Sequence, residues 1–219
     1  MVIFNYMVGA EDVGSYKNAY NHTLKNFSAK EPSQMAKNSG NVFDPIRSII
    51  TIHSMGQIID VKYPEGAIRF NDSPLSPLWS WRLIMLNHLA RSDNAPLAGS
   101  LITFKELDGG YIFNPAYYKM TILPIINNLS DKPAEQIKSA CSALGADFKD
   151  EADICAVFNF LPRFPITLKI WLSDAEMAGS ANILFDAAAN HYLHTEDIAV
   201  TASLMVTFLL NQCGIATTP

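Results

Sequence analysis

The sequence predicts an α+β fold with antiparallel strands in two groups, about five or six helices and a long, buried C-terminal helix. Short β-branched runs cluster between residues 41 and 72, and again between residues 154 and 185. Strands in consecutive groups, rather than alternating singly with helices, favour antiparallel sheets over a doubly wound parallel sheet. The apolar stretch from Ile198 to Leu210 is too short to span a bilayer, so it predicts a core helix.

Length and composition predict a single domain with a large interior. A chain of 219 residues can bury a substantial core. Hydrophobic residues make up 49% of it and charged residues only 17%, which is typical of large cores or ligand-filled interiors. We expect one domain over residues 1–219, with an N-terminal helical and meander portion at 1–75 and a core at 76–214.

The N-terminal third predicts two helices and a meander. Apolar residues at three- and four-residue spacing predict a helix over residues 11–27. Pro32 and Gly40 then mark the start and the stop of a short second helix. Turn-like residues separate the extended runs SIITIHS, QIIDVKY and AIRF, which predict a three-stranded antiparallel meander.

The middle of the chain predicts helices bounded by proline and glycine. Pro77 begins a largely buried helix, and the short extended run LITFKEL follows it. Asn114 and Pro115 predict the cap and first turn of the next helix, which Pro124 should kink or split. One more helix follows and ends at Gly145.

The last third predicts a second group of strands and a final helix. The runs ICAVFNF, PITLKIWL and NILF have strand composition. The final helix extends from near Thr195 to near Gly214, with Thr195 as the expected N-cap. Glu196 and Asp197 are then first-turn acids, which the positive end of the helix dipole favours.

Charge and cysteine usage exclude several classes of protein. The net charge is −5 and no basic run occurs, so the chain lacks the lysine and arginine clusters that bind nucleic acid or a membrane surface. The apolar opening lacks a basic segment, so it is not expected to be a signal peptide, and we expect a cytoplasmic protein. Cys141, Cys155 and Cys213 form no paired motif and predict buried thiols in a reducing compartment.

The stretch FDAAANHYLHTED, residues 185–197, carries the main candidate chemistry. His191 and His194 are three positions apart, a spacing with which one helix can supply two metal ligands. Together with Asp186 they predict a zinc or iron site with an open position, as in a metal-dependent hydrolase or lyase. The alternative is that the block only starts the last helix, with Asp186 or His194 bracing the turn.

Three separated blocks carry a resemblance to a known family: LAGSLITFKELDGGYIFNPAYY, FNFLPRFPITLKIWLSDAE and SANILFDAAANHYLHTEDIAV. Between about Trp79 and Leu210, the chain resembles the uncharacterised domain-of-unknown-function family 3786 of anaerobic prokaryotes. The resemblance implies no established activity, but it suggests a context of anaerobic corrinoid or methyl-transfer metabolism. Some relatives resemble fusions to a cysteine-rich iron–sulfur module, which three isolated cysteines cannot form here.

The family context leads to a second hypothesis, a site for a large apolar cofactor such as a corrinoid or haem. His191 or His194 would be the axial ligand of its metal. Aromatic side chains would line the pocket, and the candidates are Tyr111, Phe113, Tyr117, Tyr118, Trp79 and Trp81. The alternative is that these aromatic residues are ordinary core.

Arg163 is the remaining candidate for cofactor binding. Pro162 and Pro165 stiffen its backbone, so its side chain could bind a carboxylate or phosphate in a defined position. The alternative is an internal salt bridge to Asp186 or Glu196.

Three functions therefore stay open from the sequence, and no catalytic residue is assigned. The chain is a cofactor-binding protein, a metal-dependent hydrolase or lyase, or a non-catalytic partner subunit. Its apolar composition also makes a homodimer or a complex with another protein an expectation.

Overall fold

Two antiparallel sheets form the framework of the structure, a computed structural model that describes residues 2–10 and 17–217. The first sheet has the order β1-β2-β3-β4, with strands β1 (Val42–Asp44), β2 (Ile49–Ser54), β3 (Gln57–Lys62) and β4 (Ile68–Phe70). The second has the order β5-β9-β8-β7-β6, with strands β5 (Leu101–Thr103), β6 (Ala146–Lys149), β7 (Ile154–Leu161), β8 (Phe164–Trp171) and β9 (Ser180–Asp186). The two predicted groups of strands are confirmed.

The helices surround and connect these sheets. They are α1 (Lys17–Ser28), α2 (Pro32–Ser39), α3 (Trp79–Arg91), α4 (Gly110–Met120), α5 (Ile122–Leu129), α6 (Ala134–Ala143) and α7 (Thr195–Gln212). Only Thr121 separates α4 from α5, so the pair counts as one kinked helix in the expected number of five or six. The first predicted helix is confirmed from Lys17 onward, while residues 11–16 lie outside the described residues.

Strands β1 and β6 were not predicted, and the meander has four strands instead of three. Both are edge strands that pair with a longer neighbour, Val42 with Thr51 and Ala146 with Phe158. Most of their side chains are exposed or half-buried, so their sequences lack the apolar alternation that marks a strand. β1 and β6 become strands because they pair with the free edges of β2 and β7. A local sequence pattern does not contain that information.

Helix α4 begins four residues before the predicted cap at Asn114. Gly109 occupies the N-cap with a left-handed backbone (φ 71°), and Pro115 lies inside the helix. Pro115 has no N–H to bond the carbonyl of Tyr111, but that turn is exposed and water can reach the carbonyl. The predicted split near Pro124 occurs at Thr121, which places Pro124 in the first turn of α5, where no N–H is needed.

The long, buried C-terminal helix is confirmed as α7, but its first cap differs from the prediction. His194 takes the N-cap position with an extended backbone, and Thr195 is the first helical residue. The Thr195 hydroxyl donates instead to the carbonyl of Asp108 at 2.7 Å, just before α4. This contact fixes the start of α7 next to the start of α4.

The two sheets share one hydrophobic cluster, in which Trp81 of α3 occupies a central position. The indole ring lies 6.2 Å from Phe70 of the first sheet and 5.1 Å from Phe208 of α7, between ring centroids. Its N–H donates to the Ser54 hydroxyl at 3.0 Å. In the part of the chain that the structure describes, no helix is both long and apolar enough to cross a membrane.

Candidate functional site

Asp186 ends strand β9 and binds the backbone of two loops. One carboxylate oxygen accepts the N–H groups of Ala98 and Ala188, at 2.8 and 2.9 Å, and the other accepts that of Gly99 at 2.8 Å. The residue is only 5% exposed. These three charge-assisted hydrogen bonds stabilise the two loops, so the role of Asp186 is structural. They also use most of the acceptor capacity of its carboxylate.

His191 ends a short 3-10 helix, Ala189–His191, and pairs with Asp93. Its Nδ1 lies 2.8 Å from the Asp93 carboxylate, and the two side chains are 53% and 54% exposed. The hydrogen bond from His191 is the main reason why the pKa of Asp93 lies below its usual value. If Nδ1 carries the proton, Nε2 is left as an acceptor at the surface.

His194 contacts Arg91 of α3 rather than the other two residues of the predicted metal site. Its Nε2 lies 3.1 Å from the Arg91 guanidinium, which also donates twice to the carbonyl of Asn190, at 2.9 and 3.2 Å. Because a guanidinium is always a donor, Nε2 acts as the acceptor in this contact.

Asp186, His191 and His194 thus have separate sets of partners. Among residues 2–10 and 17–217, no three His, Cys, Asp or Glu side chains are grouped so that they could hold a metal ion. The predicted zinc or iron set therefore stays a prediction, with no arrangement of described side chains in its favour.

Arg163 bridges neighbouring segments and forms no ion pair with Asp186 or Glu196 among the described residues. Its guanidinium donates to the side-chain oxygen of Asn94 and, at 3.4 Å, to the carbonyl of Asn38. Both Arg163 and Asn94 have left-handed backbones, with φ of 60° and 70°. We call residues 91–99, 162–163 and 186–194 the three-loop junction.

His88 of α3 lies beneath this junction and is fully buried. Its Nε2 is 3.1 Å from the carbonyl of Pro162, and its ring stacks on Tyr192 at 5.9 Å between centroids. Nδ1 has no partner among the described residues. Burial lowers the pKa of His88 to about 3, so the imidazole is neutral at physiological pH.

A cavity of about 700 Å³ lies between α4 and α7, closed on one side by the start of α3. We call it the α4–α7 cavity. Most of its lining is apolar, and the lining residues are Leu78, Trp79, Ser80, Phe104, Phe113, Ala116, Tyr117, Met120, Thr121, Thr195, Glu196, Ala199, Val200, Ser203 and Leu204. Its size lies within the roughly 300–1,000 Å³ of small-molecule sites.

The cavity exists because two helix faces with small residues meet. On α4 the lining positions are spaced by three and four residues from Phe113 to Met120, and Ala116 is among them. On α7 the same spacing places Ala199 and Ser203 on the lining face. Side chains this short leave the space between the helices unfilled.

Tyr117 contributes a buried polar atom to this region. Its ring stacks on Phe104 with centroids 3.9 Å apart, and its hydroxyl has no hydrogen-bond partner among the described residues. Burial raises the pKa of this hydroxyl, against an opposite effect of the neighbouring Thr121. Thr121 itself donates to the Tyr117 carbonyl at 2.7 Å, so its proton is already used.

The structure separates the residues that the sequence grouped into one cofactor site. Tyr117 lines the cavity, as do Trp79 and Phe113, whereas Tyr118 does not and is 46% exposed. His191, His194 and Arg163 belong to the three-loop junction. The described lining residues include no histidine, so they do not fit axial ligation of a haem or corrinoid metal by an imidazole.

Glu196, Ala199 and Ser203 line the cavity and were not predicted as site residues. The sequence signal that could have found them is a pair of small residues, Ala199 and Ser203, four positions apart in a helix whose other residues are mostly large and apolar. Such a pair permits either close helix packing or a cavity, and the sequence does not distinguish the two.

Comparisons with known proteins give one match. A family model described as "Domain of unknown function (DUF3786)" matches residues 31–208, which extends the similarity well before Trp79. Neither the curated proteins nor the solved structures contain a significant match.

Proposed function

The chain belongs to the DUF3786 family, and on that premise we propose that it is a binding protein for a mostly apolar small molecule held in the α4–α7 cavity. The observation that carries this proposal is the cavity itself, about 700 Å³ of largely apolar space between two helices. A ligand that fills this space removes apolar surface from water. The favourable free energy of that burial is about 25 cal/mol per Å² of apolar surface. A few polar groups in an apolar pocket are the usual composition of a ligand site.

The identity of the ligand is a further part of the proposal. Trp79, Phe113 and Tyr117 are the aromatic side chains of the lining on which the ring of a haem or corrinoid would stack. The lack of a histidine in the described lining favours an organic ligand bound without a metal–imidazole bond. We also infer a cytoplasmic location, which the free, buried thiols of Cys141, Cys155 and Cys213 support.

Filling the cavity tests the function. Tryptophan fluorescence, to which Trp79 in the cavity lining contributes, should report saturable binding of apolar probes. The panel consists of anilinonaphthalene sulfonate, dodecanol, haemin and hydroxocobalamin. Ala199→Phe and Ala116→Phe should each weaken binding at least about tenfold, because the phenyl ring occupies the space of the ligand. Ala178→Phe places the same ring on an exposed loop outside the cavity and is the matched control.

Two results would overturn this function. One is the absence of saturable binding for every probe. The other is binding that the two filling variants leave unchanged, provided that circular dichroism shows both to be folded. Elemental analysis for zinc and iron, on protein purified without added metal, tests the separate hypothesis of a metal-dependent enzyme.

A partner subunit is the second candidate function, favoured by apolar side chains at the surface of α4. Tyr111 and Ile112 are 79% and 77% exposed, and Met120 is 60% exposed. Adjacent exposed apolar side chains mark interaction surfaces more often than single ones do. Light scattering of the purified chain distinguishes a homodimer from a monomer, and Ile112→Ser should dissociate a dimer that uses this surface.

A further inference from the structure

Glu196 is the only acidic or basic side chain among the described residues that line the α4–α7 cavity. It is exposed, and no hydrogen bond or ion pair engages its carboxylate within residues 2–10 and 17–217. The neighbouring Asp197 is half-buried and accepts two hydrogen bonds from the amide of Asn87, at 3.1 and 3.2 Å. Asp197 carries the same sign of charge, so it does not neutralise Glu196.

Glu196 lies at one end of the cavity. The hydrogen bond from Thr195 to Asp108 places the starts of α4 and α7 side by side, and Glu196 follows directly. The lining then continues along α7 to Leu204, eight positions later, which is about 12 Å at the helical rise. Ala199 and Val200 form the apolar wall between these positions.

No lysine, arginine or histidine occurs among the described lining residues, so no cationic side chain of the lining compensates the charge of Glu196. Arg91 and His194 contact each other at 3.1 Å, and neither lines the cavity. An anionic group of a bound ligand at this end would therefore meet the charge of Glu196 without a lysine, arginine or histidine of the described lining beside it. A cationic group would gain an ion pair in the same position.

We propose that the α4–α7 cavity selects amphiphiles with a cationic head group, which pairs with Glu196 while the apolar tail lies along Ala199 and Val200. This inference rests on the proposed binding function and names the chemical class of its ligand. The apolar tail supplies affinity through burial, and the carboxylate supplies selectivity for the head group.

Three probes with the same tail test the proposal: dodecylammonium, dodecanol and dodecanoate, each below its micelle concentration. We expect wild-type protein to bind dodecylammonium about fivefold more tightly than dodecanol, and dodecanoate more weakly than either. Glu196→Gln should bring dodecylammonium to the affinity of dodecanol, and added salt should act in the same direction. Glu176→Gln removes an exposed carboxylate on a loop outside the cavity, and it should leave the ranking unchanged.

The outcomes separate this inference from the function on which it rests. Equal affinities for dodecylammonium and dodecanol, or a preference that survives in Glu196→Gln, would overturn head-group selection. Dodecanol binding that Ala199→Phe abolishes would still support the cavity as a binding site in that case. If none of the three probes binds, head-group selection is wrong, and the binding function is then decided by anilinonaphthalene sulfonate, haemin and hydroxocobalamin.

Discussion

The three-loop junction is held together mainly by polar side chains, whereas the α4–α7 cavity is lined mainly by apolar ones. The two regions also differ in whether their polar side chains have hydrogen-bond partners. In the junction, Asp186, His191 and Arg163 each have partners within the chain. The lining of the cavity is mostly apolar, and the carboxylate of Glu196 has no partner among the described residues. Histidine and aspartate residues are the usual candidates for a functional site in a sequence. In this fold, those of the three-loop junction bind neighbouring loops to one another. The unfilled region is built from residues that look ordinary in the sequence.

The largest expected effect concerns His88, which is buried without charge beneath the junction. Its pKa is lowered from 6.5 to about 3, so the unfolded chain takes up the proton first as pH falls. The contribution of His88 to the free energy of unfolding is therefore greatest above about pH 6.5, and it falls progressively toward pH 3. The loss should reach about 2 kcal/mol at pH 5 and roughly 4–5 kcal/mol near pH 3.

Urea unfolding at pH 7 and pH 5 measures this effect. His88→Gln should lack this part of the pH dependence, whereas His22→Gln changes an exposed histidine and should keep it. Asp197, whose pKa burial raises, acts in the opposite direction, and comparison of the variants cancels its contribution. Identical pH dependence in wild type and His88→Gln would show that His88 is not buried in the neutral form.

Asp186→Ala should give the second largest effect. It removes the acceptor of three backbone N–H groups, and we expect the free energy of unfolding to fall by about 2–3 kcal/mol. Asp93→Ala removes an exposed carboxylate of the same junction and should change it by less than about 1 kcal/mol. Chemical denaturation compares the two. A loss for Asp186→Ala no larger than for Asp93→Ala would contradict a structural role.

His191→Ala tests which of the two regions, the three-loop junction or the α4–α7 cavity, is the binding site. Because His191 and Asp93 are both half-exposed, their pair should stabilise the fold by at most about 1 kcal/mol. Binding of apolar probes should be unchanged, since His191 does not line the cavity. Probe titration of the variant checks this expectation, and a tenfold loss of affinity would move the candidate site to the junction.

Tyr117→Phe should give the smallest change in stability. The hydroxyl is buried with no hydrogen-bond partner among the described residues, so its removal should alter the free energy of unfolding by less than about 0.5 kcal/mol, or stabilise the fold. Thermal and urea unfolding measure this quantity. Destabilisation above about 1 kcal/mol would show that the hydroxyl has a partner in the free protein.

Most of the regular structure could be predicted because the local signals are strong. Pro32 and Gly40 delimit α2, with Gly40 in the left-handed conformation expected of a helix stop (φ 75°). The central strands β7, β8 and β9 follow their apolar runs. The predictions are wrong at β1, β6, the start of α4 and the N-cap of α7, where pairing with a neighbouring strand, hydration of a turn or the hydrogen bond of Thr195 to Asp108 outweighs local preference.

The candidate site was predictable only in part. Tyr117, Phe113 and Trp79 were named as aromatic pocket material and do line the cavity. The sequence hypothesis groups His191 and His194 with them because the family context suggests a haem or corrinoid with an imidazole as axial ligand. In the fold, the 3-10 turn before α7 directs them toward Asp93 and Arg91 instead.

Fold class, the grouping of the strands, the buried last helix and the family could all be inferred from the sequence, because periodicity, turn residues and the order of blocks along the chain are local or one-dimensional properties. Which polar residues have hydrogen-bond partners, and where a cavity forms, became visible in the folded chain. Hydrogen-bond satisfaction and cavities depend on which distant segments come together in space, as Asp186 accepts the N–H of Ala98 and as Ala116 lines one cavity with Ala199 of α7.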